Sequence, residues 1–313
     1  MAVYRWYPAS AAQDELQRIA HAQIDRGLGE LDAGDRHHAV HAVRKRGKKV
    51  RALLRLVRPA APVLYRRENT AFRDMMRRVA TDRDAGVAVE TYDHLLGRFS
   101  EDGMAEELAP VRAALAQRRA ELLGEELDRR LHAIRMDLLA ARERVGDWEL
   151  EGDGFEVLED GLAKTYGRAR ARMTDAYTDA TSAAFHLWRK RVKYHRYHLQ
   201  LLQEAWPPVI EAQRQQVHEL TDLLGDDHDL AVLRRDLLAE PERFGGERLV
   251  AALCGLLDRR RAELQAAAWV VGQRCFAEDR QRFVSRLRTY WESAATAAHG
   301  AGPLSDPTVP PGR

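Results

Sequence analysis

Apolar side chains recur along most of the chain with the spacing of an α-helix. Val40, Val43, Val50, Leu54 and Val57 fall three, four or seven residues apart, so a helix places them on one face. Such patterns predict helices at about residues 10–27, 35–57, 63–80, 155–177, 181–205, 208–224, 227–239 and 246–298. Residues 84–100 and 104–145 are helical too, as one bent helix or as two. The predicted fold class is all-α.

The boundaries between these helices carry their own signals. Residues 10–13, Ser-Ala-Ala-Gln, have the form of a capping box that would open the first helix. Residues 146–156, GDWELEGDGFE, are rich in glycine and acid and read as a linker. The proline-rich residues 299–313 are predicted to be a disordered tail, which leaves one domain over residues 1–298.

One motif occurs twice. HAVRKRGKKVR at 41–51 and HLWRKRVKYHR at 186–196 both fit H-x-x-R-K-R-x-K-x-x-R, and every equivalent pair is separated by 145 residues. The same offset pairs Arg83-Asp84 with His228-Asp229, further along the chain. We therefore expect a tandem duplication with repeats at about 10–145 and 155–298, folded as two four-helix bundles related by pseudo-twofold symmetry.

On a helix, the repeated motif forms a basic stripe beside an apolar one. His41, Arg44, Lys48 and Arg51 share a face in the first copy, and their counterparts in the second copy are His186, Arg189, Lys193 and Arg196. The apolar stripes are Val40, Val43, Gly47, Val50, Leu54 and Val57, matched by Phe185, Trp188, Val192, His195, Leu199 and Leu202. Burial of the apolar stripe would fix the rotation of each helix, and His195 is expected to pack in the interior.

The total charge does not reveal the basic stripes. Fifty Lys and Arg nearly balance 48 Asp and Glu, yet residues 36–78 contain 14 Lys or Arg and only two acids, Glu68 and Asp74. Neighbouring carboxylates or solvent can neutralise such a face, which is the simplest reading of a charged helix. The duplication and the arginines of the third predicted helix favour instead a long surface for a linear chain of phosphates.

Other sequence features narrow the range of possible functions. Cys254 and Cys275 lie on one predicted helix, roughly 30 Å apart at 1.5 Å per residue, which excludes a disulfide between them. The N-terminus has no signal-peptide pattern and no long apolar run occurs, so we expect a cytoplasmic protein without a membrane partner. His228-Asp229 resembles part of a metal site, but the first copy has Arg83, so no metal and no cofactor are predicted.

The two motifs, each followed by Arg-Asp or His-Asp, resemble the conserved histidine α-helical domain, CHAD. The segments YRRENTAFRDMMRRVATDRDA and LTDLLGDDHDLAVLRRDL also resemble its second-motif stretches, and the resemblance covers about residues 10–298. It implies two four-helix bundles with basic faces lining a central surface or pore, and binding of inorganic polyphosphate, or of phosphate or sulfate ions in its place. It also implies association with polyphosphate granules and their other proteins.

Carried over residue by residue, the resemblance implies a set of polyphosphate ligands. They are His41, Arg44, Lys45, Lys48, Arg51, His186, Arg189, Lys190, Lys193 and Arg196. Arg55, Arg73 and Arg77 are added to this set, although their counterparts in the second copy are Gln200, His218 and Asp222. Asp84 and Asp229, each in the first turn of a predicted helix, either favour the positive end of the helix dipole or position a basic neighbour. Some relatives begin with a triphosphate-tunnel (CYTH) domain, which carries an ExExK signature. The nearest string in this sequence, ELEGD, lacks the lysine, so a stand-alone CHAD domain is expected.

Two other functions stay open at this stage. Phe185, Trp188, Tyr194 and Tyr197 are interleaved with the basic residues, as in surfaces that stack nucleic-acid bases, although Phe185 and Trp188 belong to the apolar stripe. A polyphosphate or triphosphate hydrolase would need metal-binding carboxylates that face the phosphates, and the basic stripes contain none. We therefore expect a non-catalytic binding protein, with nucleic acid disfavoured as the partner.

Overall fold

A computed structural model describes residues 4–32, 35–99, 104–121 and 125–300, and within these ranges it contains α-helices and short 3₁₀ segments but no strand. The α-helices are α1 (Ala12–Leu31), α2 (Arg36–Leu56), α3 (Pro62–Arg77), α4 (Ala80–Phe99), α5 (Met104–Glu121), α6 (Glu125–Arg144), α7 (Glu156–Asp179), α8 (Ser182–Leu201), α9 (Pro207–Ala239), α10 (Glu247–Cys275) and α11 (Arg280–Gly300). No helix among them is long and apolar enough to cross a membrane. The all-α prediction is confirmed, and residues 301–313, which include most of the predicted disordered tail, lie outside the described part.

The helix bounds differ from the prediction at two places in the second half. A break was expected near residues 225–227, but α9 is continuous there. Asp227 does not cap a helix, because its buried carboxylate accepts hydrogen bonds from Arg261 Nε at 3.1 Å and from Gln265 Nε2 at 2.8 Å. Conversely, one helix was expected over 246–298. It is two, since Asp279 accepts from the backbone N–H groups of Gln281 and Arg282 and starts α11.

The start of α1 also differs from the prediction. Ser10 and Gln13 do not form a capping box; Asp153, from the predicted linker, accepts from the Ala12 N–H at 2.7 Å. The Gln13 side chain instead bonds the backbone of Trp148 and Leu150. The linker is therefore fixed to the first helix, and the Trp148 ring is completely buried.

The bounds of the first two helices of each half follow the 145-residue offset. Shifted by 145, α1 and α2 coincide with α7 and α8 to within three residues, and α3 and α4 fall on α9 and the short 3₁₀ segment Pro241–Phe244. The region 80–144, which was expected to hold one or two helices, holds α4, α5 and α6 within its described parts.

Two hydrophobic cores lie within the described residues, and both draw on both halves of the chain. The larger core contains side chains from α1, α2, α3 and α6 together with α7, α8, α11 and the first half of α9. The smaller core is formed by α4 and α5 with the second half of α9 and the first half of α10. The prediction of one four-helix bundle per repeat is therefore not confirmed, because neither core is confined to one repeat.

Close contacts fix the position of α2. The Nε2 atom of His198 on α8 lies 2.9 Å from the Ala52 carbonyl oxygen, and the Arg55 guanidinium lies 4.2 Å from the Tyr194 ring centroid. Residue numbers rise on α2 as they fall on α8, so the two helices run in opposite directions where they cross. On the α7 side, a Cβ at Gly161 would lie 1.7 Å from the Leu56 carbonyl oxygen, so only glycine permits this approach.

Candidate anion-binding cleft

The apolar stripes orient α2 and α8 as predicted. Val40, Val43, Val50, Leu54 and Val57 are all buried, and so are the side chains of the matching stripe on α8. His195 packs among the rings of Tyr166, Phe276 and Phe283. Burial lowers the pKa of His195 to about 3, so this imidazole is neutral and belongs to the core, as expected.

With these faces buried, the basic faces of α2 and α8 line one cleft of about 570 Å³, which we call the basic cleft. The far walls are α3 and the second half of α9. Its basic lining residues are Arg44, Lys48, Arg51, Arg55, Arg73, Arg77, Arg189, Lys190, Arg191, Lys193 and Arg235. The remaining lining residues are Met76, His186, Tyr194, Tyr197, His228 and Val232. No Asp or Glu is among the described lining residues.

Ten of the thirteen predicted ligands line the basic cleft. The other three point elsewhere: His41 and Lys45 are exposed on α2 outside the cleft, and Arg196 places Nη1 3.1 Å from His218 Nδ1. Of the two predicted stripes, Arg44, Lys48, Arg51, His186, Arg189 and Lys193 line the cleft, and His41 and Arg196 do not.

Several lining residues were missed by the sequence reasoning. Arg191 was part of the repeated motif, and its counterpart Arg46 pairs with Glu30 at 2.6 Å, whereas Arg191 has no carboxylate partner among the described residues. Arg235 and His228 come from α9, whose rotation no local pattern fixes. Met76 lies against Gly47, where a Cβ would sit 2.5 Å from the methionine sulfur, so the glycine in the first motif makes room for this wall.

Uncharged acceptors orient several of the cleft arginines. Arg44 Nη1 donates to the Met76 carbonyl oxygen at 2.9 Å, near the end of α3. Asn69 Oδ1 accepts from Arg51 Nε at 3.0 Å and from Arg55 Nη1 at 2.6 Å. Since a carbonyl or amide oxygen carries no net charge, these contacts hold the guanidinium groups in place without neutralising them.

A carboxylate approaches the basic residues at the outer edge of α3. Asp74 contacts Arg73 Nε at 2.8 Å and Arg77 Nη1 at 3.3 Å, and all three side chains are largely exposed. The hydrogen bond from Arg73 lowers the pKa of Asp74, so this carboxylate is charged at neutral pH. Exposed pairs of this kind contribute little energy, so Asp74 does not prevent Arg73 and Arg77 from turning to an anion.

Comparison with known families and structures agrees with this architecture. The model of the CHAD domain matches residues 18–239. The chain belongs to the CHAD family. The crystal structure of the CHAD domain from the plant Ricinus communis superposes with a TM-score of 0.54 at 16% identity, covering 93% of this chain and 95% of that one. No curated protein matches the sequence significantly.

The two histidines that begin the repeated motifs, His41 and His186, differ in their surroundings. His186 lies in the basic cleft with its ring stacked on His228, the centroids 4.1 Å apart. Burial, followed by Lys190 and Arg189, lowers the pKa of His186 to about 4, and Asp229 opposes this shift only weakly. The buried Nδ1 atom of His186 makes no hydrogen bond to a described residue. His186 is thus neutral and close to the cationic groups of Lys190 and Arg189.

The two aspartates of the CHAD second motif are placed differently by the structure. Asp229 lies within electrostatic range of His186, where it favours the protonated ring. The Asp84 side chain is outside the described part of the structure. Asp227, two residues before Asp229, is the buried carboxylate. Burial raises the pKa of Asp227 above its usual range, and Arg261, Gln265 and Arg189 oppose this shift only in part.

The chemistry available in the cleft follows from these groups. Guanidinium and ammonium groups dominate, and the described ranges hold no cluster of three or more His, Cys, Asp or Glu residues suited to a metal ion. Phe185 and Trp188 are buried, which leaves Tyr194 and Tyr197 as the aromatic residues of the cleft, with the Arg55 guanidinium over the Tyr194 ring. The arrangement is suited to holding an extended anion.

Proposed function

We propose that this CHAD protein binds inorganic polyphosphate in the basic cleft without catalysing a reaction. One observation supports this most directly: eleven Lys and Arg side chains line a single cleft of about 570 Å³ without an Asp or Glu among the described lining residues. Confining so many cations raises the free energy of the protein alone through mutual repulsion. A linear polyanion relieves the repulsion and receives forked hydrogen bonds from the arginines.

We also propose that the two halves arose by duplication and are related by a pseudo-twofold axis through the α2–α8 crossing. Shifted by 145, Ala52 becomes Tyr197 and Leu53 becomes His198, so the contact between Ala52 and His198 joins neighbouring equivalent positions. An axis of this kind would present two similar basic stripes to one ligand. Family membership further favours association with polyphosphate granules in the cytoplasm, together with other granule proteins.

The test of binding is a reversal of four cleft charges. We expect the variant Arg44→Glu, Lys48→Glu, Arg189→Glu and Lys193→Glu to bind long-chain polyphosphate at least about 100-fold more weakly. The salt dependence of the affinity should also fall, because fewer counterions are released. Isothermal titration calorimetry over a series of salt concentrations measures both quantities.

A matched control separates the cleft from total charge. Arg112→Glu, Arg129→Glu, Arg259→Glu and Arg282→Glu change the net charge equally at exposed positions on α5, α6, α10 and α11, away from the cleft. This variant should lose far less affinity than the cleft variant. Equal losses, with helical content unchanged in circular dichroism, would refute a specific site in the cleft.

Two further measurements test the alternatives. Tyr194 and Tyr197 in the cleft are the observation that favours nucleic acid. If single-stranded RNA displaces polyphosphate at equal phosphate concentration and equal salt, nucleic acid becomes the preferred ligand. Release of orthophosphate from polyphosphate in the presence of Mg²⁺ or Mn²⁺, lost on substitution of Asp229, would show that the protein is an enzyme.

A further inference from the structure

A second cationic pocket opens beside the basic cleft, between α2, α3, α7 and α8. We call it the side pocket; its volume is about 150 Å³. It is lined by Arg55, Arg58, Tyr65, Gly161, Lys164, Thr165, Arg168, Arg191 and Tyr194. Five of these nine residues are Lys or Arg and none is acidic, which is the same chemistry as the basic cleft. Lys164 and Arg168 belong to α7, outside the repeated motif and outside every predicted ligand set.

The side pocket and the basic cleft share a wall. Arg55, Arg191 and Tyr194 line both of them. The Arg55 guanidinium lies over the Tyr194 ring at 4.2 Å, and Arg58 lies 4.8 Å from the Tyr65 ring centroid. Aromatic faces hold cations without neutralising them, so these two arginines are positioned with their charge retained. A continuous row of cations therefore runs from the cleft into the pocket.

In the part of the chain that the structure describes, neighbouring carboxylates do not form ion pairs that would neutralise Arg58, Lys164, Arg168 and Arg191 of the side pocket. The repulsion from Arg58 is the largest cause that lowers the pKa of Lys164, ahead of burial and Arg168, and Asp160 only partly opposes it. For Arg191, burial and then Arg168 and Arg55 lower the pKa of the guanidinium. No ion pair joins Arg58, Lys164, Arg168 or Arg191 to a carboxylate in the described ranges.

Comparison of the repeats explains why Arg191 is available. Its counterpart Arg46 pairs with Glu30, and Gly27 lies beside Arg46. At the equivalent positions of the second half, Asp175 replaces Glu30 and Arg172 replaces Gly27. Arg172 Nη1 bonds Asp175 at 2.7 Å, so the carboxylate that would neutralise Arg191 is occupied. The two halves therefore differ in charge at one end of the cleft, where the side pocket lies.

We propose that the side pocket is a second phosphate subsite, which holds phosphoryl groups of a polyphosphate chain whose other part occupies the basic cleft. The inference rests on the proposed function of the cleft. The chain would pass Arg55 and Tyr194 and then contact Arg58, Lys164 and Arg168. A ligand short enough to lie within the basic cleft would not need the side pocket, so the subsite makes binding dependent on chain length.

The test compares two ligands on one variant. In Arg58→Gln, Lys164→Gln and Arg168→Gln, we expect the affinity for long-chain polyphosphate to fall about tenfold, while the affinity for tripolyphosphate changes less than about twofold. The control is Arg170→Gln, Arg129→Gln and Arg259→Gln. Arg170 lies on α7 only two residues from Arg168, about 200° around the helix, and does not line the pocket.

Each result has a defined meaning. An equal loss for both ligands in the side-pocket variant would show a general electrostatic effect and overturn the subsite, as would an equal loss for long chains in the control. If the side-pocket variant binds long chains normally while the cleft variant does not, the subsite is wrong and the proposed function stands. If neither variant loses affinity, the proposed function fails and the subsite with it.

Discussion

Asn69 is the residue that organises one side of the basic cleft. Its amide oxygen accepts from both Arg51 and Arg55, and it is the single asparagine of the chain. Its counterpart after 145 residues is Arg214, which pairs with Glu211, so the duplication gives no hint of its role. A neutral acceptor at this position fixes two guanidinium groups without adding negative charge to a cleft for anions.

The role of Asn69 leads to a prediction about charge. Asn69→Asp would form an ion pair with Arg51 and Arg55, so we expect the melting temperature to stay the same or rise while polyphosphate binds about tenfold more weakly. Asn69→Ala should cost less affinity, because it frees the arginines without neutralising them. Calorimetric titration and thermal unfolding of the two variants check this; an Asp variant that binds as well as wild type would contradict it.

At the scale of the elements, the approach of α7 to α2 depends on Gly161. A methyl group there would meet the backbone of Leu56 and Arg55, which cannot move aside as a side chain can. The same contact places Arg55 at the junction of the basic cleft and the side pocket, and Arg58 in the side pocket. The packing of two helices and the arrangement of the ligand-facing charges are therefore coupled.

We predict that Gly161→Ala lowers the free energy of unfolding by about 3 kcal/mol or more, the upper range for overpacking. The matched control is Gly255→Ala, on the exposed side of α10, where an added Cβ meets no atom within 4 Å. Because alanine favours a helix over glycine, the control should be stabilised by up to about 1 kcal/mol. Urea denaturation measures both; equal stability of the two variants would argue against the close α7–α2 contact.

At the scale of the whole molecule, the two cores join the halves of the chain. The larger core needs α7, α8 and α11 to cover α1, α2 and α6, and the smaller core needs α9 and α10 to cover α4 and α5. The basic cleft has the same dependence, since α2 and α3 form one side of it and α8 and α9 the other. Folding and the assembly of the site are thus one event.

We therefore predict that residues 1–150 and 151–313, produced separately, do not unfold cooperatively, because each half exposes apolar surface that the other covers. Co-expressed halves should copurify and recover polyphosphate binding. Circular dichroism during heating and size-exclusion chromatography provide the measurement. A half that melts cooperatively near the temperature of the full chain would show that each repeat is an independent domain.

The sequence alone determined the all-α class, the match of α1 and α2 with α7 and α8 at a 145-residue offset, and the rotation of α2 and α8. These follow from local rules, since apolar spacing fixes which face of a helix is buried. The stripes were correct for that reason, and ten of thirteen predicted ligands lie in one cleft. The exceptions are His41 and Lys45, which are exposed outside the cleft, and Arg196, which lies against His218 of α9.

Only the tertiary structure decided which helices share a core and which charges remain unneutralised. Pairing of α4 and α5 with α9 and α10, rather than with α1 and α2, depends on contacts between residues far apart in the chain. Asn69, Lys164 and Arg168 carry no local signal, because their roles depend on atoms supplied by other helices. Local sequence patterns orient a helix. The electrostatic field at a site is instead the sum over the charges of all the helices that meet there.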